Sequence, residues 1–338
     1  MRLQIGYVPL CDAAPVVMAQ ELGFAREEGL ELELSAEPSW ATLRDRLALG
    51  HLDGAHMLAP LALASAMGLS GPPSDVVVGL PLSLNGNAIT LSHALCEAMA
   101  EEAVPGEGTD GWRGAARAFA RIAAARRRAG RPLTMGIVHP FSCHAYQVRL
   151  FAAAGGLDPA ALRTVVVPPQ HGVEALSRGL VDGFCAGAPW NDVAVAAGVG
   201  RIAALCAEIA PDAPEKVFAV SGRAGVANAP LVRAVARAGL WCADPDHRDE
   251  LAHRLGRRSH LDREIDAVAR AFGREGVDGI NARLGSLRLG APAQAWVPER
   301  LDWLLSQMTA AGQLPDDPGI ALAARAIYRP DPSALLGV

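Results

Sequence analysis

The sequence predicts an α/β protein of two similar lobes. Each lobe is a mixed, mostly parallel sheet flanked by helices, and a ligand cleft lies where the chain crosses between them. Three observations carry this reading. Short apolar runs alternate with helix-like stretches, the rhythm of βαβ units, and the alternation comes in two series. The series share a gapless repeat, "GHLDGAHMLAP" at 50–60 and "GLVDGFCAGAP" at 179–189, which sets Gly50 on Gly179, Asp53 on Asp182, Gly54 on Gly183 and Pro60 on Pro189. Two extended stretches, one after each series, read as crossings.

Taken in order, "LQIGYVPL" is a first buried strand and "APVVMAQELGFAREEG" the helix after it. "LELELSA" alternates strictly, the mark of a strand with an exposed face or edge. "WATLRDRLALG", "GAHMLAP" and "PLALASAMG" continue as helix, strand and helix. "LPLSLNGNAITLSHALCEAMA" reads as an extended crossing with an Asn-Gly turn, followed by the Gly-rich "AVPGEGTDGW". The second series runs through "LTMGIVH", "CHAYQVRLFAAAG", "LRTVVVPP", "HGVEALSRG" and "GFCAGAP". "PEKVFAVSG" is a single return strand. An unbroken helical run from "APLVRAVARAGLWCAD" to "LDWLLSQMTAAG" then packs on the first lobe. The lobes are therefore expected at 1–86 with 212–338, and at 87–211. The repeat itself asks for a helix closed by a left-handed Gly, a turn through Asp-Gly, and a buried strand.

Composition supports a large core: 338 residues, 51% hydrophobic and 20% charged. The opening residues lack the apolar stretch of a secretory signal, so a cytoplasmic protein is expected. No segment has the roughly 18 apolar residues of a membrane span. The cysteines are scattered, with no C-x-x-C, and read as reduced thiols. A net charge of -5 weighs against direct nucleic-acid binding. The basic segment from Arg117 to Arg131 reads as a solvated helix face, with a partner-docking strip as the sharper alternative.

The segment around Cys143 and His144 leaves three readings open: a nucleophilic pair, half of a metal site, or the rim of a binding pocket. Neighbours at a helix start point different ways, which disfavours the first. His139, Cys143, His144 and His171 have no recognised ligand spacing, which disfavours the second. For the third, Ser142 is positioned to cap a helix whose free N–H groups attract an anion, with His144 in the first turn. Further donors are Lys216 at the head of the return strand and Trp40 at a helix start. The indole N–H of Trp40 donates and cannot accept. Asn87 lies on the first crossing. Trp190, in "GAPWND", covers the cleft or packs beneath it.

The order "IGYVPLCDAAPVVMAQELGF", "SWATLRDRLALGHLDGAHML", "LNGNAITLS", "RLFAAAGGLDP", "VVVPP", "LVDGFCAGAPWN" and "PEKVFAV" resembles the nitrate- and bicarbonate-binding proteins of the NrtA/CmpA family, a branch of the type II periplasmic-binding-protein fold. The resemblance implies a bilobed anion-binding protein without cofactor, resident metal or catalytic activity. It places the ligand on Trp40, Asn87, His144 and Lys216, with Ser142, Gly86, Pro189 and Trp190 in a second rank. His144 with Ser142 would form the second-lobe half of an anion clamp. Two departures alter the pocket. Ala188 stands where members commonly have Glu, and Phe141, Ser142 and Cys143 replace a Gly-rich turn.

The missing export signal is shared with the cytoplasmic NasS-type nitrate and nitrite sensors of this family. The resemblance thus implies a sensor of nitrate or nitrite that holds an RNA-binding antiterminator of the NasT type and releases it when the anion binds. The alternative is the substrate-binding component of a nitrate or bicarbonate ABC transporter. The thiamin pyrimidine synthases share the fold, but their clustered cysteines are absent here.

Overall fold

The computed structural model describes residues 1–102, 104, 110–222, 225, 228–273, 287–315 and 317–328. Among the described residues ten strands form two five-stranded sheets. The strands are β1 (Arg2–Tyr7), β2 (Glu31–Ala36), β3 (Gly54–Leu58), β4 (Val76–Leu84), β5 (Asn87–Ser92), β6 (Thr134–Ile137), β7 (Arg163–Val166), β8 (Gly183–Gly187), β9 (Gly200–Leu205) and β10 (Pro214–Ser221). The chain divides into one unit of Met1–Asn85, Phe141–Cys143 and Ala213–Val338, and a second of Gly86–Pro140 and His144–Asp212.

The first unit's sheet runs β2-β1-β3-β10-β4, and the second's runs β7-β6-β8-β5-β9. In the first, β1 pairs parallel with β2 and β3, while β10 lies antiparallel between β3 and β4. In the second, β6 pairs parallel with β7 and β8, while β5 lies antiparallel between β8 and β9. The topologies are thus the same. In each, the one strand running against the rest is the strand by which the chain arrives from the other unit. The strictly alternating β2 sits at a sheet edge with Leu32 buried and its ends exposed, as its pattern requires.

The repeat read in the sequence is a repeat in structure. The helix Trp40–Ala48 ends in a Schellman motif, with Gly50 at φ 77° donating to Leu47 and His51 donating to Arg46. The helix Gly172–Ser177 ends in the same way, with Gly179 at φ 67° donating to Leu176 and Leu180 donating to Ala175. Each turn then delivers an aspartate. Asp53 takes the Gln4 N–H on its carboxylate at 2.8 Å, donates its own N–H to the Gln4 carbonyl, and accepts from Ser221 on its carbonyl. Asp182 repeats this with Thr134 at 2.8 Å and with Ser92. One residue in each repeat therefore staples the parallel strand and the antiparallel strand to the turn. The glycine that follows has no room for a side chain. A Cβ on Gly54 would lie 2.7 Å from the Phe218 ring, and one on Gly183 would lie 2.8 Å from the Thr90 carbonyl.

Two expectations change. "SHALCEAMA" is not extended: the crossing ends at Ser92, whose hydroxyl accepts from Leu95 N–H and caps the helix His93–Glu101. The C-terminal helical run is not unbroken. It is divided into Asn228–Ala243, Arg248–Leu255, Ile265–Ala271, Ala291–Gln294, Pro298–Ala310 and Pro318–Ile327, broken at Pro245 and elsewhere. Most of the Gly-rich stretch after the crossing, 105–109, lies outside the described residues. The basic segment forms the helix Trp112–Arg128, which buries Phe119, Ile122 and alanines while Arg126 pairs with Asp182 at 2.8 Å. Among the described residues no helix is long and apolar enough to cross a membrane.

Asp53→Ala removes a charge-assisted acceptor and leaves a backbone N–H unmet, so it should cost about 2 kcal/mol. Asp182→Ala should cost about the same. Urea unfolding of both variants reads the effect, and unchanged midpoints would show that the aspartates are not the staples.

Candidate functional site

The first unit brings the buried polar side chains of Asp12, His56, Glu215 and Lys216 together. The end of β1 leads into a single 3-10 turn, Cys11–Ala13, which buries Asp12. Ser39 caps the helix that follows β2, accepting from Thr42 N–H at 3.1 Å, and so fixes Trp40 in the first turn with its ring fully buried. His56 lies in the middle of β3 and Lys216 two residues from Phe218, its partner across the ladder, so both project from one face of the paired strands. Both are essentially unexposed, at 0% and 1%.

These groups meet. The Lys216 ammonium is 2.9 Å from Asp12 Oδ2 and 3.4 Å from Glu215 Oε2. His56 Nε2 lies 3.0 Å from Asp12 Oδ1, close but poorly aligned for a hydrogen bond. The Trp40 and His56 rings are tilted with centroids 5.3 Å apart, and Lys216 Nζ stands 5.7 Å from the Trp40 ring. Trp40 Nε1 and His56 Nδ1 are buried with no hydrogen-bond partner among the described residues. The Cys143 thiol donates to the Pro214 carbonyl at 3.0 Å. Phe141–Cys143, expected in the second lobe, fall with the first unit, and Cys143 is a buried, packed thiol.

The charges hold one another. Burial pushes the Asp12 carboxyl up, but Lys216 and His56 beside it outweigh burial and hold it well below the usual carboxylate range. Burial lowers the Lys216 ammonium, yet Asp12 and Glu215 reverse this and leave it above its ordinary value. For His56, burial wins: the imidazole is held below its ordinary 6.5 despite the pull of Asp12, with Lys216 adding to the depression. At neutral pH the cluster therefore contains the Lys216 ammonium, the Asp12 carboxylate and a neutral imidazole. The Lys216 ammonium, expected from the sequence as a donor at the head of the return strand, already has carboxylates against it.

The second unit places Asn87, Gln147 and His144 together. Asn87 Nδ2 donates to Gln147 Oε1 at 2.9 Å, and Gln147 lies one turn beyond His144 on the helix Cys143–Ala154, all three buried. Gly86, at φ 86°, accepts from Ala188 N–H on its carbonyl at 3.1 Å, which keeps it beside Pro189. Trp190 is buried at the start of the helix Trp190–Ala196, and Asn191 accepts from Thr90 at 2.9 Å. Ser142 is buried in the segment that falls with the first unit. The strand registers reveal an equivalence. Asn87 faces Gly187 as Lys216 faces Leu58, and Gly187 and Leu58 are the same position of the repeat. The amide and the lysine are therefore counterparts in two copies of one frame.

Asp12, His56, Glu215 and Gln147 were not anticipated. Signals for two of them existed. Lys216 is the sole lysine among 31 Lys and Arg residues, which marks it and the glutamate beside it as unusual. A histidine within the apolar "GAHML" is a buried polar group that needs a partner. Among the described residues no three His, Cys, Asp or Glu side chains converge to hold a metal ion.

A model of the NMT1-like family matches residues 1–256. The bicarbonate transport ATP-binding protein CmpC of Synechocystis sp. is 34% identical over 329 residues, covering 93% of this chain and 46% of that protein. The nitrate/nitrite binding protein NrtA of Synechococcus elongatus is 30% identical over 277 residues, covering 78% of this chain and 60% of that protein. The chain thus spans about half the length of the curated relatives it matches. The crystal structure of the periplasmic nitrate-binding protein NrtA from Synechocystis PCC 6803 aligns with a TM-score of 0.85 and 25% identity, covering 97% of this chain and 86% of that one. The fold is that of the periplasmic binding proteins, as expected.

Lys216→Met leaves buried carboxylates without their cation and should cost about 3–5 kcal/mol, while adding Asp12→Asn should recover part of that loss. Stability should also fall on acidification. His56 is depressed in the folded state, so below about 6.5 the unfolded chain binds the additional proton. The contribution of Asp12 is lost only lower, as pH falls below its ordinary 3.8. Thermal melts between pH 7 and pH 5 should show a drop in Tm that His56→Gln flattens; equal slopes would refute the assignment.

Proposed function

The chain belongs to the NMT1-like family, and from that premise we propose that it binds a small planar oxyanion of the nitrate and nitrite class through Trp40 and Lys216. The observation that carries this reading is the buried donor pair. The sole lysine of the sequence lies 5.7 Å from a tryptophan ring whose N–H has no partner among the described residues. Nitrate only accepts hydrogen bonds, is flat, and suits an indole N–H, an ammonium and an aromatic wall. Asn87 and His144 of the second unit are proposed as ligand residues on the family resemblance. The names of NrtA relatives support the anion class.

Within this reading the chain acts as a cytoplasmic sensor, holding an RNA-binding antiterminator of the NasT type and releasing it when the anion binds. A second reading, the substrate-binding component of an ABC transporter for nitrate or bicarbonate, is favoured by the transport proteins among the relatives. Pull-down with and without nitrate separates them. A sensor should release an RNA-binding protein on nitrate addition. An importer component should instead be recovered with membrane transport subunits, from a fraction outside the cytoplasm.

Affinity has a ceiling. A ligand of four heavy atoms, at about 1.5 kcal/mol each, reaches about 6 kcal/mol, or tens of micromolar. Calorimetry with nitrate and with nitrite should give a dissociation constant in that range, and no heat up to millimolar anion would end the proposal. Trp40→Phe keeps the ring and deletes the N–H, so it should weaken binding about tenfold. Unchanged affinity would take Trp40 out of the site.

A further inference from the structure

The oxyanion reading meets an electrostatic obstacle, and the residue that resolves it is on β3. We propose that His56 is the proton acceptor of the anion site, so that the oxyanion is taken up together with a proton from solvent, which His56 holds as imidazolium against the bound charge.

The proposal rests on the oxyanion reading and on geometry. The ammonium of Lys216 is already matched by Asp12 at 2.9 Å and Glu215 at 3.4 Å. An anion placed there without a further cation would be a buried, unbalanced charge, which proteins avoid by moving a proton. His56 is the titratable group placed to receive it. Nε2 lies 3.0 Å from Asp12 Oδ1, while Nδ1 has no partner among the described residues and the ring borders that of Trp40, whose N–H is also unmet. A neutral imidazole has one N–H and cannot donate both to Asp12 and to a ligand. An imidazolium donates to both.

The surroundings agree. Asp12 on the turn after β1 attracts a proton to His56, and Lys216 on β10 repels one. Burial keeps the ring neutral near pH 7 until an anion arrives, and the arriving charge favours protonation. Other charged groups on the packed elements are engaged elsewhere. On the helix Trp40–Ala48, Arg44 pairs with Asp45 and Arg46 with Glu37, while the helix Ala59–Ala66 carries no titratable side chain. On β1, Arg2 pairs with Glu33, and the Tyr7 hydroxyl points to the carbonyls of Ser259 and His260. On β10, Glu215 pairs with Lys216, and the Cys143 thiol, which acts on Lys216, donates to Pro214.

The test is calorimetric titration of the whole chain with sodium nitrate between pH 5.5 and 8.5, repeated in buffers of different ionisation enthalpy. Proton uptake is then read directly. The expected result is uptake approaching one proton per nitrate, with affinity falling about tenfold per pH unit at the alkaline end. His56→Gln should bind with affinity nearly independent of pH and with no uptake. If that variant does not fold, the uptake measured on the unaltered chain decides alone. Nitrate binding without proton uptake at any pH overturns the role of His56 and leaves the oxyanion reading standing. No binding at any pH overturns both.

Discussion

A single carboxylate organises the first unit. Asp12 places one oxygen 2.9 Å from the only lysine in the chain and the other 3.0 Å from the His56 ring, all without access to water. Dehydrating an ammonium is costly unless opposite charge sits against it, so where Lys216 can be buried is decided by where Asp12 is held. The turn Cys11–Ala13, β3 and β10 are tied together by that requirement. Trp40 closes the cluster from the helix that precedes β3, lining the lysine and the histidine with one ring.

The two units show how one frame supports different chemistry. Each uses a Schellman glycine, an aspartate that clamps two strands, and a glycine too crowded for a side chain. The position two residues after that crowded glycine is His56 in one copy and Cys185 in the other, and Cys185 lies with its sulfur 3.7 Å from that of Cys206. The counterpart of Lys216 is Asn87. Backbone demands have kept the aspartates and glycines alike, while the side chains facing the same corner have become an ionic cluster in one unit and a neutral amide network in the other.

Much of this was legible in the sequence because it depends on local rules. Gly50 and Gly179 mark helix ends through their left-handed backbone, Asp53 and Asp182 mark the turns, and strict alternation marks β2 as an edge. Trp40 was found from its place at a helix start, and Lys216 from its place at the head of a strand. Asp12 and His56 were not, because their roles are set by partners tens to hundreds of residues away. An aspartate in "LCDAAP" looks like a turn residue until the ladder brings Lys216 against it. The helix after Ser92 was missed for a related reason. The apolar run continues across the boundary, and only the serine cap ends the strand.

The reversed strand in each sheet governs the order of assembly. The second unit draws all its strands from one stretch, β5 to β9, and can complete its sheet as soon as that stretch has left the ribosome. The first unit cannot. Its interior position between β3 and β4 waits for β10, some 130 residues after β4. Until then Asp12 and His56 face a gap in the sheet, and the strand that fills it delivers Lys216. The ionic cluster therefore forms as the first unit's sheet closes, over a long loop whose closure entropy the earlier completion of the second unit reduces.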